Sequence, residues 1–332
     1  MMERHQIEII LRAAQPIAHA EGTVGNTQTI MRRKVRQPDG RFTRVPYVTG
    51  DTMRHGLREA GAYSLLEAAG LLDASSLTEA ALRLLFSGGM VMGSAADVVR
   101  LDDERKMRET MPIISLLGGC VGNRIVPGKL EVGDAWLVCD ETASILPKWV
   151  GEWTHEQEME SASARAHVEL VQRVRMDPSL SPSKRVLLTS GATAAVEQRL
   201  LMSEVASERE DAVGAKATKS TMMPFSYETL SAGSLFWWRI DAVTHTQIER
   251  DTLYVMIAAF LAKARVGGKK GTGHGLFEPI HARGFERQAI APADLDLLSV
   301  AGDARAPEIA RFRAHVSDRK DAVREWLGKV VA

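Results

Sequence analysis

IMRRKVRQPDGRFTRVPYVTGDTMRHGLR, residues Ile30 to Arg58, decides how the rest of the chain is read. It carries eight cations (Arg32, Arg33, Lys34, Arg36, Arg41, Arg44, Arg54 and Arg58) against two acids, Asp39 and Asp51. Eight minus two leaves +6, in a chain of 332 residues whose 42 Lys+Arg and 42 Asp+Glu cancel. Thr49-Gly50-Asp51-Thr52 offers N-cap chemistry for a helix starting there. Within it Arg54 and Arg58 lie four apart on one face, and Met53, Leu57 and Ala60 form the apolar face. Stacked arginines beside free backbone N–H groups make a polyanion site, with phosphate the obvious anion. The alternative is a solvated basic loop followed by an ordinary amphipathic helix.

The composition is globular, with 45% hydrophobic and 25% charged residues. Zero net charge argues against bulk non-specific basic binding but leaves room for a local groove. Cys120 and Cys139 are the only cysteines and show no metal spacing, which argues against a disulfide framework or a zinc site and for a reduced, cytoplasmic setting. The N-terminal run MMERHQIEIILRAA is too charged for a signal peptide, and no stretch of about 20 apolar residues suggests a membrane span.

Upstream of the basic stretch, Ile7, Ile9 and Leu11 alternate with Glu8, Ile10 and Arg12, a strand pattern. His19 to Asn26 reads as a glycine-punctuated loop. Pro38-Asp39-Gly40 is a turn, and the helix from Asp51 runs on through Gly61 into Tyr63–Ala69. Leu77–Phe86 predicts an amphipathic helix, and Asp102–Glu109 a solvated helical face. Gly118, Gly119 and Gly122 lack the strand-turn-helix setting of a nucleotide-binding fingerprint. Lys129–Cys139 and His167–Arg175 have strand character. The region from Ser161 to Glu228 reads as a long excursion from a sheet, with Lys184-Arg185 and Lys219 as its cations.

Ser234–Val243 predicts a strand with Phe236, Trp238 and Ile240 on one face and Leu235, Trp237 and Arg239 on the other. Its tryptophans could serve a base-binding platform, but core packing is the commoner use of such a pair. Asp251 is read as the cap of an apolar helix, Leu253–Ala264. Gly267–Gly275 then holds five glycines in nine residues with Lys269 and Lys270. That composition permits close backbone approach and suits an anion, although the spacing is not that of a P-loop. A last helix, Pro307–Val331, docks through Trp326 and Leu327.

In order, these pieces resemble a family. Its helix start, Pro-Tyr-hydrophobic-x-Gly followed by spaced cations, stands here as Pro46-Tyr47-Val48-Thr49-Gly50 with Arg54 and Arg58. Its later segments stand as Pro112–Gly118, Gly128–Ala135, Glu228, Gly233-Ser234 and Gly267–Gly275. The chain to about Ile280 is similar to the RAMP superfamily of CRISPR-associated proteins, within it to the backbone subunit of the Cas-seven family, and most to the type IV version.

The resemblance implies an α+β fold: a ferredoxin-like palm of the RNA-recognition-motif kind, inserted helical fingers and a β-hairpin thumb. The expected division is palm at 1–61, 151–173 and 225–332, fingers at 62–150 and thumb at 174–224. It implies a non-catalytic subunit that polymerises on guide RNA in a type IV effector complex. Such a subunit anchors phosphates and leaves base edges free to pair with target nucleic acid, expected to be DNA. Expected partners are the guide, the target, further copies of the chain and other effector subunits. The expected RNA contacts are Arg32, Arg33, Lys34, Arg36, Thr52, Arg54, Arg58, Lys184, Arg185, Gly268, Lys269, Lys270 and His274. No metal, cofactor or catalytic residue is expected. Relatives that cleave target RNA carry an aspartate in the loop that stands here as Gly25–Ile30, which has no carboxylate. Two other readings are a guide-processing endoribonuclease using His274 and a filament on unrelated small RNA.

Overall fold

The computed structural model describes residues 2–73, 77–89, 101–121, 124–173, 183, 186–198, 201, 225–286, 293–294 and 306–329. The chain is α+β and divides into two units: residues 1–21, 30–169 and 229–332, and residues 22–29 with 170–228. Its strands are β1 (Glu3–Ala13), β2 (Ala20–Val24), β3 (Thr27–Ile30), β4 (Arg32–Arg36), β5 (Phe42–Val48), β6 (Gly119–Val121) and β7 (Arg124–Val126). They continue as β8 (Leu130–Val132), β9 (Ala135–Leu137), β10 (Val168–Arg173), β11 (Phe225–Leu230), β12 (Leu235–Thr244), β13 (Phe277–Glu286) and β14 (Ala293–Asp294). The principal helices are α1 (Gly50–Ala68), α2 (Glu79–Ser87), α3 (Leu101–Thr110), α4 (Pro112–Leu117), α5 (Lys148–Glu156), α6 (Gln247–Leu261), α7 (Ala306–Asp318) and α8 (Lys320–Lys329).

The larger unit is built on a sheet ordered β14-β13-β1-β12-β9-β5-β4, with β8 also on β12. The pairings of β1 with β12 and β13, and of β9 with β12 and β5, are antiparallel. The alternation read in the sequence sets the layers. Ile7, Ile9 and Leu11 of β1 join Phe236, Trp238 and Ile240 of β12 in one core, with Met53 and Leu57 of α1 and Leu253, Ile257 and Phe260 of α6. The Trp238 and Phe260 rings meet edge to face at 5.6 Å. On the opposite sheet face, Ile10 and Leu235 pack with Val150 of α5, and Trp149, Trp153 and Trp237 close over them. Trp238 is therefore core and Trp237 lies beneath α5, as the packing alternative for this pair requires.

α1 is seated closely at its start. A Cβ on Gly50 would stand 2.5 Å from the carbonyl oxygen of Val132, which is backbone and cannot swing aside. α7 is tied to α6 by Arg311, whose Nε and Nη2 donate to the buried Asp251 carboxylate at 2.8 and 2.7 Å. The smaller unit is built on a sheet ordered β10-β11-β3-β2, in which β11 runs parallel to β3 through Ser226–Thr27 and Tyr227–Gln28.

Several sequence expectations change. His19–Asn26 is not a loop: β2 and β3 form a hairpin whose turn contains Gly25, at φ 59°. The helix read from Asp251 starts earlier, at Gln247, because Thr246 caps it by accepting from the N–H of Glu249. Asp251 sits inside that helix and serves as the anchor for Arg311. The terminal helix is two, α7 and α8, meeting at Arg319. Leu327 is buried and Trp326 packs on the core, which fits the docking read for that helix. Most of the segment expected to form a thumb, 174–224, lies outside the described residues.

Gly50→Ala should cost about 1–3 kcal/mol of stability, the ordinary penalty for overpacking against backbone. That outweighs alanine's better helix propensity of up to about 1 kcal/mol. A thermal melt checks it, with a lowered midpoint expected.

Candidate nucleic-acid interface

The basic stretch folds into a hairpin and then α1. Pro38-Asp39-Gly40 makes the turn, closed by the N–H of Gln37 donating to Arg41 at 2.7 Å and that of Gly40 to Gln37 at 2.9 Å. Register puts Arg32 opposite Pro46, Lys34 opposite Arg44 and Arg36 opposite Phe42. Directly opposed residues share a face, and alternation adds every second one. Arg32, Lys34, Arg36, Arg44 and Phe42 therefore lie on a single face of the hairpin.

Like charges placed opposite each other repel, as Lys34 and Arg44 do. Glu21 offsets part of this by accepting two hydrogen bonds from Arg44, each 3.0 Å. Phe42 is 65% exposed at the end of this row. Sequence reasoning did not single it out, although an aromatic between Arg41 and Arg44 is a visible signal for stacking beside phosphate contacts.

Arg33 points to the other face. Its guanidinium lies 4.7 Å over the Tyr47 ring and donates to Asp134 at 2.5 Å. Tyr47 in turn stacks on Trp136 at 5.5 Å. Asp134 also accepts the N–H of Gly50 at 2.8 Å, so one carboxylate anchors both the strand and the helix start.

The helix start offers less to an anion than the sequence suggested. The N–H of Thr49 donates to His19 Nε2 at 3.3 Å, that of Gly50 to Asp134, and that of Thr52 to Thr49 Oγ1 at 3.3 Å. Arg54 and Arg58 turn inward. Arg54 donates to the carbonyls of Leu130 at 2.7 Å and Leu117 at 2.5 Å. Arg58, 7% exposed, donates to Leu117 and Gly118 at 3.0 Å each and to Leu84 at 3.4 Å. Leu117 ends α4, so both guanidiniums meet a helix-terminal carbonyl, whereas the Leu84 carbonyl in the last turn of α2 also accepts from the N–H of Gly88 at 3.2 Å. Burial, and second the neighbouring Arg54 cation, lower the Arg58 pKa to about 10. Both arginines expected to contact RNA thus hold backbone carbonyls of the protein through their terminal nitrogens.

The glycine-rich loop follows α6. Gly268 donates its N–H to the carbonyl of Ala18 at 2.7 Å, and a Cβ on Gly267 would stand 2.5 Å from that same oxygen. Two of the loop's glycines thus serve its seating on residue 18, and the Gly268 amide is not offered to a ligand. Lys269 takes the left-handed conformation at φ 58°, uncommon for a residue with a side chain. His274, 6% exposed, bonds through Nδ1 to the Thr272 carbonyl at 3.1 Å. It braces the loop from inside. Lys270 is exposed. With Arg265, His19, His55, Asp51 and Thr52 it lines a cleft of about 460 Å³ between the loop and the start of α1. Lys184 and Arg185 lie outside the described residues.

Two histidines have lowered pKa values. Burial lowers the His19 pKa, with Asp134 opposing, and burial lowers that of His167, with Glu141 and Asp140 opposing. Glu249 goes the other way from its burial, which raises it: hydrogen bonds from Lys129, Ser115 and the N–H of His245 outweigh that effect and leave its pKa lowered.

No family model matches the sequence. No curated protein matches it. Among solved structures, a chain of one titled "Type IV-B CRISPR Complex" is similar at a TM-score of 0.51 and 17% identity, over 88% of this chain and 93% of that one. The likeness is one of fold.

Arg58→Ala should destabilise the protein by on the order of 3 kcal/mol, because it strips buried carbonyls of their donor. A denaturant titration measures the loss. A second expectation concerns pH. A histidine whose folded pKa lies below its unfolded value, 6.5, binds protons more readily when unfolded. Stability is then full above that value and falls as pH drops below it. Melting midpoints should decline from pH 7.5 to 5.5, and His19→Gln should shrink the decline.

Proposed function

We propose that this chain is a non-catalytic RNA-binding backbone subunit that assembles along guide RNA within a type IV CRISPR effector complex. The observation that carries the reading is the hairpin face on which Arg32, Lys34, Arg36 and Arg44 stand in register beside exposed Phe42. Cations in a row bind phosphates irrespective of sequence, and repulsion between Lys34 and Arg44 is relieved by an anion. Lys270 of the glycine-rich loop, Arg265 and Thr52 supply a second set of contacts at the cleft by α1, with Lys269 next to Lys270 in the loop.

The connectivity supports a palm. Taking β1, α1, β9, β12, α6 and β13 in chain order gives β-α-β-β-α-β, with the strands side by side as β13-β1-β12-β9. That is the ferredoxin-like arrangement shared by RNA-recognition motifs. The usual RNA-facing side of such a sheet is here packed under α5. RNA is therefore assigned to the hairpin and the loop, not to stacking on Trp237. The fold likeness to a chain of a type IV-B CRISPR complex supports the same reading. His274, the acid–base group named for the endoribonuclease alternative, is 6% exposed, which favours the non-catalytic reading. Assembly with other effector subunits, and target pairing by the bound guide, follow from the reading.

Fluorescence anisotropy with single-stranded RNA tests it. Lys34→Glu with Arg36→Glu should weaken binding more than ten-fold and make the dependence of log affinity on log salt shallower by about 0.7 for each phosphate no longer neutralised. Unchanged affinity would sink the assignment. RNA copurified from the native host should carry repeat sequence, whereas heterogeneous small RNA would favour the unrelated-RNA filament.

A further inference from the structure

The cleft beside the glycine-rich loop does not end there. Gly56, Arg265 and Lys270 line both it and a groove of about 610 Å³ between α1 and α6, so the two adjoin. That volume is in the range of small-molecule sites. Its walls are largely apolar, from Ala60, Ala259, Phe260 and Leu72, and Tyr63 stands on them 51% exposed. The Tyr63 ring is held edge to face against Phe86 at 5.2 Å, which fixes its plane without covering it. Polar groups of both signs stand along its edges. Glu59, Glu67 and Ser64 carry acceptors along one side, and the Ser64 hydroxyl already donates to the Ala60 carbonyl at 3.0 Å. Lys263 also lines the groove, and Arg265 and Lys270 stand at the end shared with the cleft.

We infer that the α1–α6 groove is a nucleobase subsite, taking one base of the strand whose phosphate lies at Arg265 and Lys270. This rests on the proposed RNA binding and adds a position at which a base leaves the stack. A flat apolar face with polar edges, attached to an anion, is what these walls recognise. The base stacks on Tyr63, its amino and imino donors meet Glu59 and Glu67, and its phosphate stays with the cations. An apolar helix from a second copy would match the alanines and Leu72, but would bury Glu59, Glu67 and Lys263 against apolar atoms.

The test uses the full chain and two single-stranded RNAs of equal length and charge, one with all its bases and one interrupted by regularly spaced abasic sites. Base–aromatic stacking is worth about 1–3 kcal/mol, so Tyr63→Ala should weaken binding of the base-bearing RNA roughly ten-fold with an unchanged salt slope. Tyr63→Phe should bind like the wild type. On the abasic RNA, wild type and Tyr63→Ala should bind alike. Equal binding of the base-bearing RNA by wild type and Tyr63→Ala overturns the subsite while leaving the hairpin contacts standing. Loss of RNA-free self-association in Tyr63→Ala overturns it in favour of a second copy as occupant. Failure of the wild type to bind either RNA overturns both the subsite and the reading beneath it.

Discussion

Two guanidiniums turned inward against the carbonyl ends of helices set the geometry on which the rest depends. Arg54 and Arg58 project from α1 and meet Leu84, Leu117, Gly118 and Leu130, carbonyls from α2, the end of α4 and β8. Among the described residues, these hydrogen bonds all go to backbone. A buried cation without a carboxylate is tolerable because several carbonyl dipoles surround it and the negative ends of two helices point at it. The arrangement ties α2 and α4 to α1. It also fixes α1 for Asp134 and His19 at its start.

The surface to which we assign RNA is defined by which neighbouring groups the protein itself engages. Arg33 is held by Tyr47 and Asp134, His274 by Thr272, and the amides at the start of α1 by their own neighbours. What remains outward is the alternate set on β4 and β5 and the lysines of the glycine-rich loop. The face combines closely set cations with an exposed aromatic. Its assembly on a single hairpin holds their spacing constant, which suits a subunit that repeats the same contact along a strand.

How much of this was legible follows from which rule governed each element. The faces of β1 and β12 could be read because a period of two and a buried face leave no alternative register. The start of α6 was misplaced because Asp251 looks like a cap, while the true signal, Thr246 with Glu249 three residues on, lay earlier in the chain. The hairpin of β2 and β3 was missed although Gly25-Asn26 is a turn pair. The arginines were the hardest. Helical spacing shows that Arg54 and Arg58 share a face, but whether that face meets solvent or the carbonyls of an insertion 26 to 76 residues further along is a tertiary fact. Charge alone does not reveal whether an arginine binds phosphate or protein backbone.

Ultraviolet cross-linking of the full chain to single-stranded RNA, with the attached peptides located by mass spectrometry, addresses the central claim most directly. The account predicts adducts on the hairpin between Arg32 and Arg44, centred on Phe42, and on the loop between Gly267 and Gly275. Adducts confined to α5 and the sheet face around Trp149 and Trp237, with none on the hairpin, would contradict it.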